Sequence, residues 1–356
     1  MIKTISVSKN AGVQLRTISK KVFLGSLLIL FGLCLPVIAM EIALRIWLHE
    51  GPPLEWDPVL IPSDLPGLEY RLAPNFNEGN IRTNAEGLLW RRADAEPSSR
   101  RILIIGDSIS FGGDVSPEQT FAAVLERKLR DELGEPVDVW NSGTPGYNTT
   151  QEATLLGDIG PNIRPNLVIV QLCLNDYERP PVLNARHVLE LGNESNDSLR
   201  GLLYRSKAIF FLKEKLKDMQ KTYPEWFPIW AHYIHYVGKK TGWGEAKESL
   251  ITIRNWAREW NASLLLVIFP VEQQLRIQDK APQTDLVDFA NTQAIPVLDL
   301  FDSFKQHWRD GLFVDYSVMF HTFDKVHLNK KGHALAAQEI ASVILNDSEY
   351  YLNSQN

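Results

Sequence analysis

Two cysteines in 356 residues are too few for a disulfide framework or a thiolate metal cluster. Both Cys34 and Cys173 sit in apolar runs and read as small buried hydrophobes. Positive charge is not in excess either. Lys and Arg number 37 against 43 Asp and Glu, and a net charge of −6 leaves no electrostatic footprint for nucleic acid. No internal repeat and no low-complexity tract is present, which excludes a repeat array. Gly112-Gly113 is not followed by the Gly-Lys of a phosphate loop. What the chain has is an ordinary globular balance, 44% apolar and 22% charged. Its length accommodates one large domain or two modest ones.

One apolar run is long. Residues 1–21 are polar and basic, with Lys3, Lys9, Arg16, Lys20 and Lys21 and no acid, and Val22 to Met40 is almost continuously apolar. About 20 such residues span a bilayer. Glu41 and Arg45 stand four apart on one helix face, and Trp47 suits the far interface. The expectation is a single-pass anchor over residues 22–48, with residues 1–21 cytoplasmic and the rest periplasmic or extracellular. A cleaved signal peptide is the competing reading, with Val37-Ile38-Ala39 offering a small residue for cleavage. The run exceeds a signal core in length and no polar mature start follows it, so the retained anchor is favoured. Leu33-Cys34 lacks the small residue that a lipoprotein site places before its cysteine.

Residues 49–98 read as a linker and an N-terminal apron. Gly51 to Pro66 is proline-rich and predicts a stiff spacer, and 67–98 carries short alternating patterns with turn signals. From 99 to 348 strand and helix patterns alternate. Strands are predicted at Ile102–Ile105, Val137–Trp140, Leu167–Leu172, Leu264–Phe269 and Val297–Leu300. Helices are predicted at 117–133, 149–157, 245–260, 284–292 and 331–345. The alternation pauses over an insertion, 177–243, with an aromatic stretch at 226–243, and 349–356 is a tail. Such a pattern predicts a mostly parallel five-stranded sheet with helices on both faces.

In such a sheet the ligand crevice lies beyond the carboxyl ends of the strands. The first strand ends in Gly106-Asp107-Ser108, the second in Asn141-Ser142-Gly143 and the third in Asn175-Asp176. Asp324-Lys-Val-His327 stands before the last helix. Alone, each is an ordinary turn. Together they hold the parts of an acyl-transfer site. Ser108 is a nucleophile that needs a base, His327 is that base, and Asp324 orients the ring. The backbone N–H groups of Ser108 and Gly143 and the Asn175 side-chain amide are candidate oxyanion donors. Gly143 lacks a Cβ and so allows close backbone approach to a ligand. Ser110 stands where a Gly-x-Ser-x-Gly elbow has its last glycine, which disfavours an ordinary α/β-hydrolase.

From Arg101 to Leu345 the chain resembles the SGNH, or GDSL, hydrolase superfamily, with four blocks in the family's order. These are Gly106-Asp-Ser108, Asn141-Ser-Gly143, Asn175-Asp176 and Asp324-Lys-Val-His327. The third block departs from the pattern, with Cys173 where the family has glycine. The resemblance implies a flavodoxin-like α/β/α sandwich. It also implies catalysis by Ser108, His327 and Asp324, with Ser108, Gly143 and Asn175 as the oxyanion hole. The expected activity is that of a serine esterase or O-acyltransferase on an acyl ester of an envelope carbohydrate or lipid. The alternative is a catalytically silent scaffold that binds a glycan or a protein. No cofactor, metal or nucleic acid is expected. His321 and His333 read as solvated or capping residues, and Asp107 and Asp176 as braces for their loops.

Overall fold

The computed structural model describes residues 32, 35–43, 59–89, 100–174, 176, 182–183, 189–190, 208, 242–314 and 326–352. The chain divides into two compact units, residues 1–52 with 194–218, and residues 53–193 with 219–356. In the first, residues 35–43 are helical, Glu41 accepts a hydrogen bond from the Ala208 N–H, and Leu35, Ile38 and Ile42 are exposed. The expected anchor, 22–48, falls largely outside the described residues, and among those described no helix is long and apolar enough to cross a membrane.

The second unit opens with two small antiparallel pairs. Strand β1 (Leu60–Pro62) pairs with β2 (Tyr70–Leu72), and β3 (Asn77–Glu78) with β4 (Ile81–Arg82). The spacer expected up to Pro66 is corrected here. Val59 and Leu60 are fully buried, because β1 spends its apolar residues on the main core.

Then come β5 (Arg101–Ile105), α1 (Ser108–Phe111), α2 (Phe121–Leu133), β6 (Asp138–Asn141), α3 (Thr149–Ile163) and β7 (Leu167–Leu172). Two short strands, β8 (Val182–Leu183) and β9 (Leu189–Glu190), pair within the predicted insertion. The rest is α4 (Gly242–Glu259), β10 (Ser263–Ile268), α5 (Glu272–Ile277), α6 (Ala281–Thr292), β11 (Val297–Asp299), α7 (Phe301–His307), α8 (Lys330–Asn346) and α9 (Ser348–Leu352).

Five strands form one parallel sheet in the order β11-β10-β7-β5-β6. Counted along the chain, that is the flavodoxin-like order 2-1-3-4-5, whose switch point lies between its first and third strands. Those strands are β5 and β7. The sheet is an α/β/α sandwich because side chains alternate across each strand. Leu103, Ile105, Val168, Val170, Leu266 and Ile268 join a core with α3, α4 and the apron. Ile102, Ile104, Leu167, Ile169, Leu265 and Val267 join another with α2, α7 and α8.

Two boundaries move. The helix predicted to begin at Pro117 breaks at Thr120: Pro117–Gln119 is a 3₁₀ turn, and Thr120 Oγ1 accepts from the Ala123 N–H as the cap of α2. The helix predicted to stop at Gly157 runs on to Ile163, past Gly160 and Pro161. Cβ atoms at Gly157 and Gly160 would meet the rings of Trp256 and Trp260, so these glycines serve close packing of α3 on α4 rather than a stop. Trp243, the last residue of the aromatic stretch, is buried core at the start of α4; residues 226–241 lie outside the described ones.

Candidate active site

Ser108 is the first residue of α1, directly beyond the carboxyl end of β5 and beside the switch point. The turn that carries it is heavily bonded. Asp107 caps the helix, its Oδ1 accepting from the Ile109 N–H at 2.9 Å. Gln171, on β7 and fully buried, turns one oxygen toward the turn. Its Oε1 accepts from Asp107 N at 3.1 Å, Ser110 N at 3.1 Å and Ser110 Oγ at 2.8 Å. Among the described residues none accepts from the Ser108 N–H.

The loop after β6 is fastened to the same turn. Asn141 Nδ2 donates to Ser110 O at 2.7 Å, Ser142 Oγ to Ile104 O at 2.8 Å, and Thr144 N to Gly106 O at 3.0 Å. A Cβ at Gly143 would collide with the Phe111 amide nitrogen and the Ser110 side chain. The close approach to α1 is thus enough by itself to require a glycine here. Its N–H donates to Asn141 Oδ1 at 3.0 Å. The apron buttresses this loop from outside. Tyr70 of β2 donates its hydroxyl to Pro145 O, Tyr147 donates to Tyr70 O, and Leu89 N donates to Asn141 O. Burial pushes both phenols well above the ordinary tyrosine range.

His327 arrives from a different direction. Its Nε2 lies 2.8 Å from Ser108 Oγ across 219 residues of sequence. The segment that bears it pairs antiparallel with the stretch before it. Phe313 bridges Leu328, Val314 N donates to His327 O, and Asn329 N donates to Leu312 O. Asn329 finishes the clasp. Its Nδ2 donates to Gly311 O and Phe313 O, while its Oδ1 caps α8 at Lys331 N and Gly332 N. His333, one turn into α8, is buried and accepts from the Phe121 N–H through Nδ1 at 3.1 Å. Burial, with a lesser push from His327, lowers its pKa to about 3, so it stays neutral. It caps α2 rather than its own helix and is not solvated.

At the end of β7, Asp176 Oδ2 accepts from Cys173 N at 3.0 Å and Asp176 N donates to Cys173 O at 3.2 Å. Cys173 is buried and keeps an ordinary negative φ, so the turn does not need the glycine of the family pattern. Asn175 and Asp324 lie outside the described residues, as does His321. Among the described residues no cluster of His, Cys, Asp and Glu is arranged to hold a metal ion. A pocket open to solvent lies beside β6, lined in part by Ile81, Leu89, Phe111, Pro117 and Arg127, and neither Ser108 nor His327 lines it.

A serine and a histidine in contact at a strand end occur in several unrelated hydrolases. The order of the blocks narrows the choice, and the model of the GDSL-like lipase/acylhydrolase family matches residues 102–340. The chain belongs to that family. GDSL members are esterases and acylhydrolases, and the five-stranded parallel sheet fits their fold.

Among solved structures the chain is similar to the lipase/acylhydrolase from Enterococcus faecalis, at 17% identity and a TM-score of 0.41, covering 72% of this chain and 99% of that one. It is similar to TesA at 15% identity and a TM-score of 0.41, covering 69% and 98%. It is also similar to the acetyl xylan esterase AlAXEase at 14% identity and a TM-score of 0.39, covering 68% and 99%. No curated protein matches the chain in sequence.

Within the GDSL framework, the residues that sequence reasoning missed are supports. Gln171 carried a signal, as the single polar residue in Leu167-Val-Ile-Val-Gln-Leu172. Asn329, two residues after His327, carried the ordinary signature of a helix cap.

Proposed function

We propose that this GDSL-family chain is a serine ester hydrolase or O-acyltransferase acting through an acyl-enzyme. The observation that carries the reading is the 2.8 Å separation of His327 Nε2 and Ser108 Oγ at the switch point of the sheet. With the ring proton on Nδ1, Nε2 accepts the serine hydrogen bond. Ser108 Oγ attacks the ester carbonyl carbon as its proton passes to His327. The tetrahedral intermediate collapses, and His327 returns the proton to the departing alkoxide. A water or a sugar hydroxyl then attacks the acyl-serine by the reverse steps. Asp324 is proposed to hold the other ring nitrogen.

The oxyanion is proposed to be met by the Ser108 N–H, the Gly143 N–H and the Asn175 side-chain amide. The Gly143 donor is engaged by Asn141 Oδ1. Its share therefore calls for a three-centre bond or a rotation of the Asn141 side chain.

The proposed substrate is an O-acyl ester of an envelope carbohydrate or lipid, reached from a bilayer through residues 22–48. The 19-residue apolar run and the basic flank before it support that placement. A fluorophosphonate probe is expected to label Ser108 of wild type and not of Ser108→Ala. No labelling and no turnover of a short-chain aryl ester would overturn the catalytic reading in favour of a silent scaffold. A radiolabelled acyl donor, offered with and without an acceptor sugar, separates transfer from hydrolysis. Membrane fractions are expected to release the protein to detergent and not to high salt, and release by salt would overturn the anchor.

A further inference from the structure

Three buried acids at and beside the nucleophile turn lie close enough to act on one another. Asp107 belongs to the turn itself, Asp176 closes the turn after β7, and Glu152 projects from the first turn of α3. Each is 0–1% exposed. Asp107 and Asp176 each bond a backbone N–H of their own loop. Glu152 does not: neither of its carboxyl oxygens has a hydrogen-bond partner, and both are buried. An isolated carboxylate without a donor is expensive to bury, and two neighbouring acids raise that cost. The group escapes the penalty by keeping its proton. Burial first, and Asp107 second, push Glu152 well above the ordinary carboxylate range. Burial, then Glu152 and Asp107, do the same to Asp176 against the opposing Cys173 N–H.

The described residues packed around Glu152 are these. Tyr70 of the apron and Tyr147 of the loop after β6 are both held neutral by burial and bonded to backbone carbonyls. Helix α4 meets the start of α3 through Ser249 and Thr150, and its Lys247 is turned outward to Asp285. Gln171 has its oxygen committed to the nucleophile turn and its buried Nε2 without a partner.

We propose that Glu152 is a positioning residue for the reaction: as a neutral acid, it donates its carboxyl hydrogen to the Asp107–Asp176 pair and so ties α3 to the two turns that flank the nucleophile. Asp107 sets the pitch of α1 and hence of Ser108, and Asp176 sets the turn whose preceding residue is Asn175. The inference rests on the esterase reading for its consequence in rate, but the proton itself is measurable without turnover.

Glu152→Gln keeps a donor of the same shape that cannot ionise, and Glu152→Leu removes it. With a short-chain aryl ester, Glu152→Gln is expected to keep kcat within about threefold of wild type near neutrality, with KM unchanged. Its alkaline limb should move to higher pH than that of wild type. Glu152→Leu should lower kcat more than about tenfold across the profile, again with little change in KM.

In parallel, urea unfolding is followed from about pH 5 to pH 9. A proton held more tightly when folded makes stability fall as pH rises, so the wild-type slope should exceed that of Glu152→Gln by up to one proton. A Gln variant as slow as Leu overturns the proposal, as does an unchanged slope with an unchanged pH profile. If wild type neither turns over nor labels with fluorophosphonate, the esterase reading fails and the positioning role fails with it, while the slope still reports whether Glu152 holds the proton. If Glu152→Leu does not fold, the Gln comparison decides alone.

Discussion

The two halves of the candidate site are built on different terms. The turn that carries Ser108 is fixed from within by buried side chains: Gln171 from one neighbouring strand, Asn141 from the other, and Asp107 as a cap. Among the described residues, the segment that carries His327 is held by main-chain pairing, by Leu328 in the core and by one partly exposed clasp, Asn329. Hydrogen bonds sealed from water cost more to break than those water can replace. The difference teaches that the serine turn is held by side-chain hydrogen bonds sealed from water, and the histidine segment by main-chain pairing, apolar packing and a clasp that water can reach. Damage to supports should therefore be severe on the first side and graded on the second.

The largest expected effect ignores supports and removes the pair itself. Ser108→Ala and His327→Gln are each expected to lower kcat/KM for an aryl ester by more than about a thousandfold, with the double variant scarcely worse. Thermal unfolding should move little, since neither side chain is core. Substantial activity in either variant would dissolve the comparison, because there would be no reacting pair to hold.

Next comes the buried side. Gln171→Leu leaves two amides and a hydroxyl without their acceptor, at about 1–3 kcal/mol for each unsatisfied group. Stability is expected to fall by at least about 3 kcal/mol in urea unfolding, and kcat with it. Gln171→Glu preserves an acceptor and tests the geometry rather than the volume. If Gln171→Leu is as stable as wild type, the turn is not held from the core.

How much of this was legible follows from where each signal resides. The five strands were readable because each is a short apolar run ending in polar residues, and parallel connections force helices between them. Ser108 and His327 were readable because chemistry restricts the residue types that serve there. Gln171 was visible as an oddity in an apolar strand, but its partners lie 61 and 64 residues away, and nothing local names them. Gly143 was noticed for its chemistry alone, because a sequence does not show that α1 also presses against it. The length of α3 was missed likewise. Glycine and proline read as stops until the Trp256 and Trp260 rings are seen to pack against the glycines. Glu152 carried no signal at all, since burial is a property of the assembled fold.

His333 joins the two sides, sitting on α8 beyond His327 and accepting from the first amide of α2. Its pKa is lowered to about 3 when folded, while the unfolded chain binds the proton near the ordinary histidine value of about 6.5. The unfolded state thus takes up a proton first as pH falls, and stability is lost progressively from about 6.5 down toward 3. His333→Asn keeps an acceptor for the Phe121 N–H and cannot titrate. It should be somewhat less stable at neutral pH but lose less stability on acidification, as read by urea midpoints between about pH 7 and 4. Parallel losses in both proteins would mean that the acid sensitivity lies elsewhere.

The smallest effect belongs to the rim. Asn329→Ala removes two hydrogen bonds to the carbonyls of Gly311 and Phe313 and the cap of α8. The carbonyls at this edge can turn to water, so the loss is nearer a helix-cap deletion, about 1–2 kcal/mol, than a buried deletion. The backbone pairing of 312–314 with 327–329 survives, so His327 should sample its contact with Ser108 less often rather than lose it. That predicts a fall in kcat of less than about tenfold at unchanged KM, with stability lost to a smaller extent than in Gln171→Leu. Asn329→Asp retains the cap oxygen and loses only the Nδ2 donors, and it should recover most of the stability but not the rate. If Asn329→Ala instead costs as much as Gln171→Leu in both readouts, the rim is as much a part of the core as the turn it faces, and the distinction between the two sides fails.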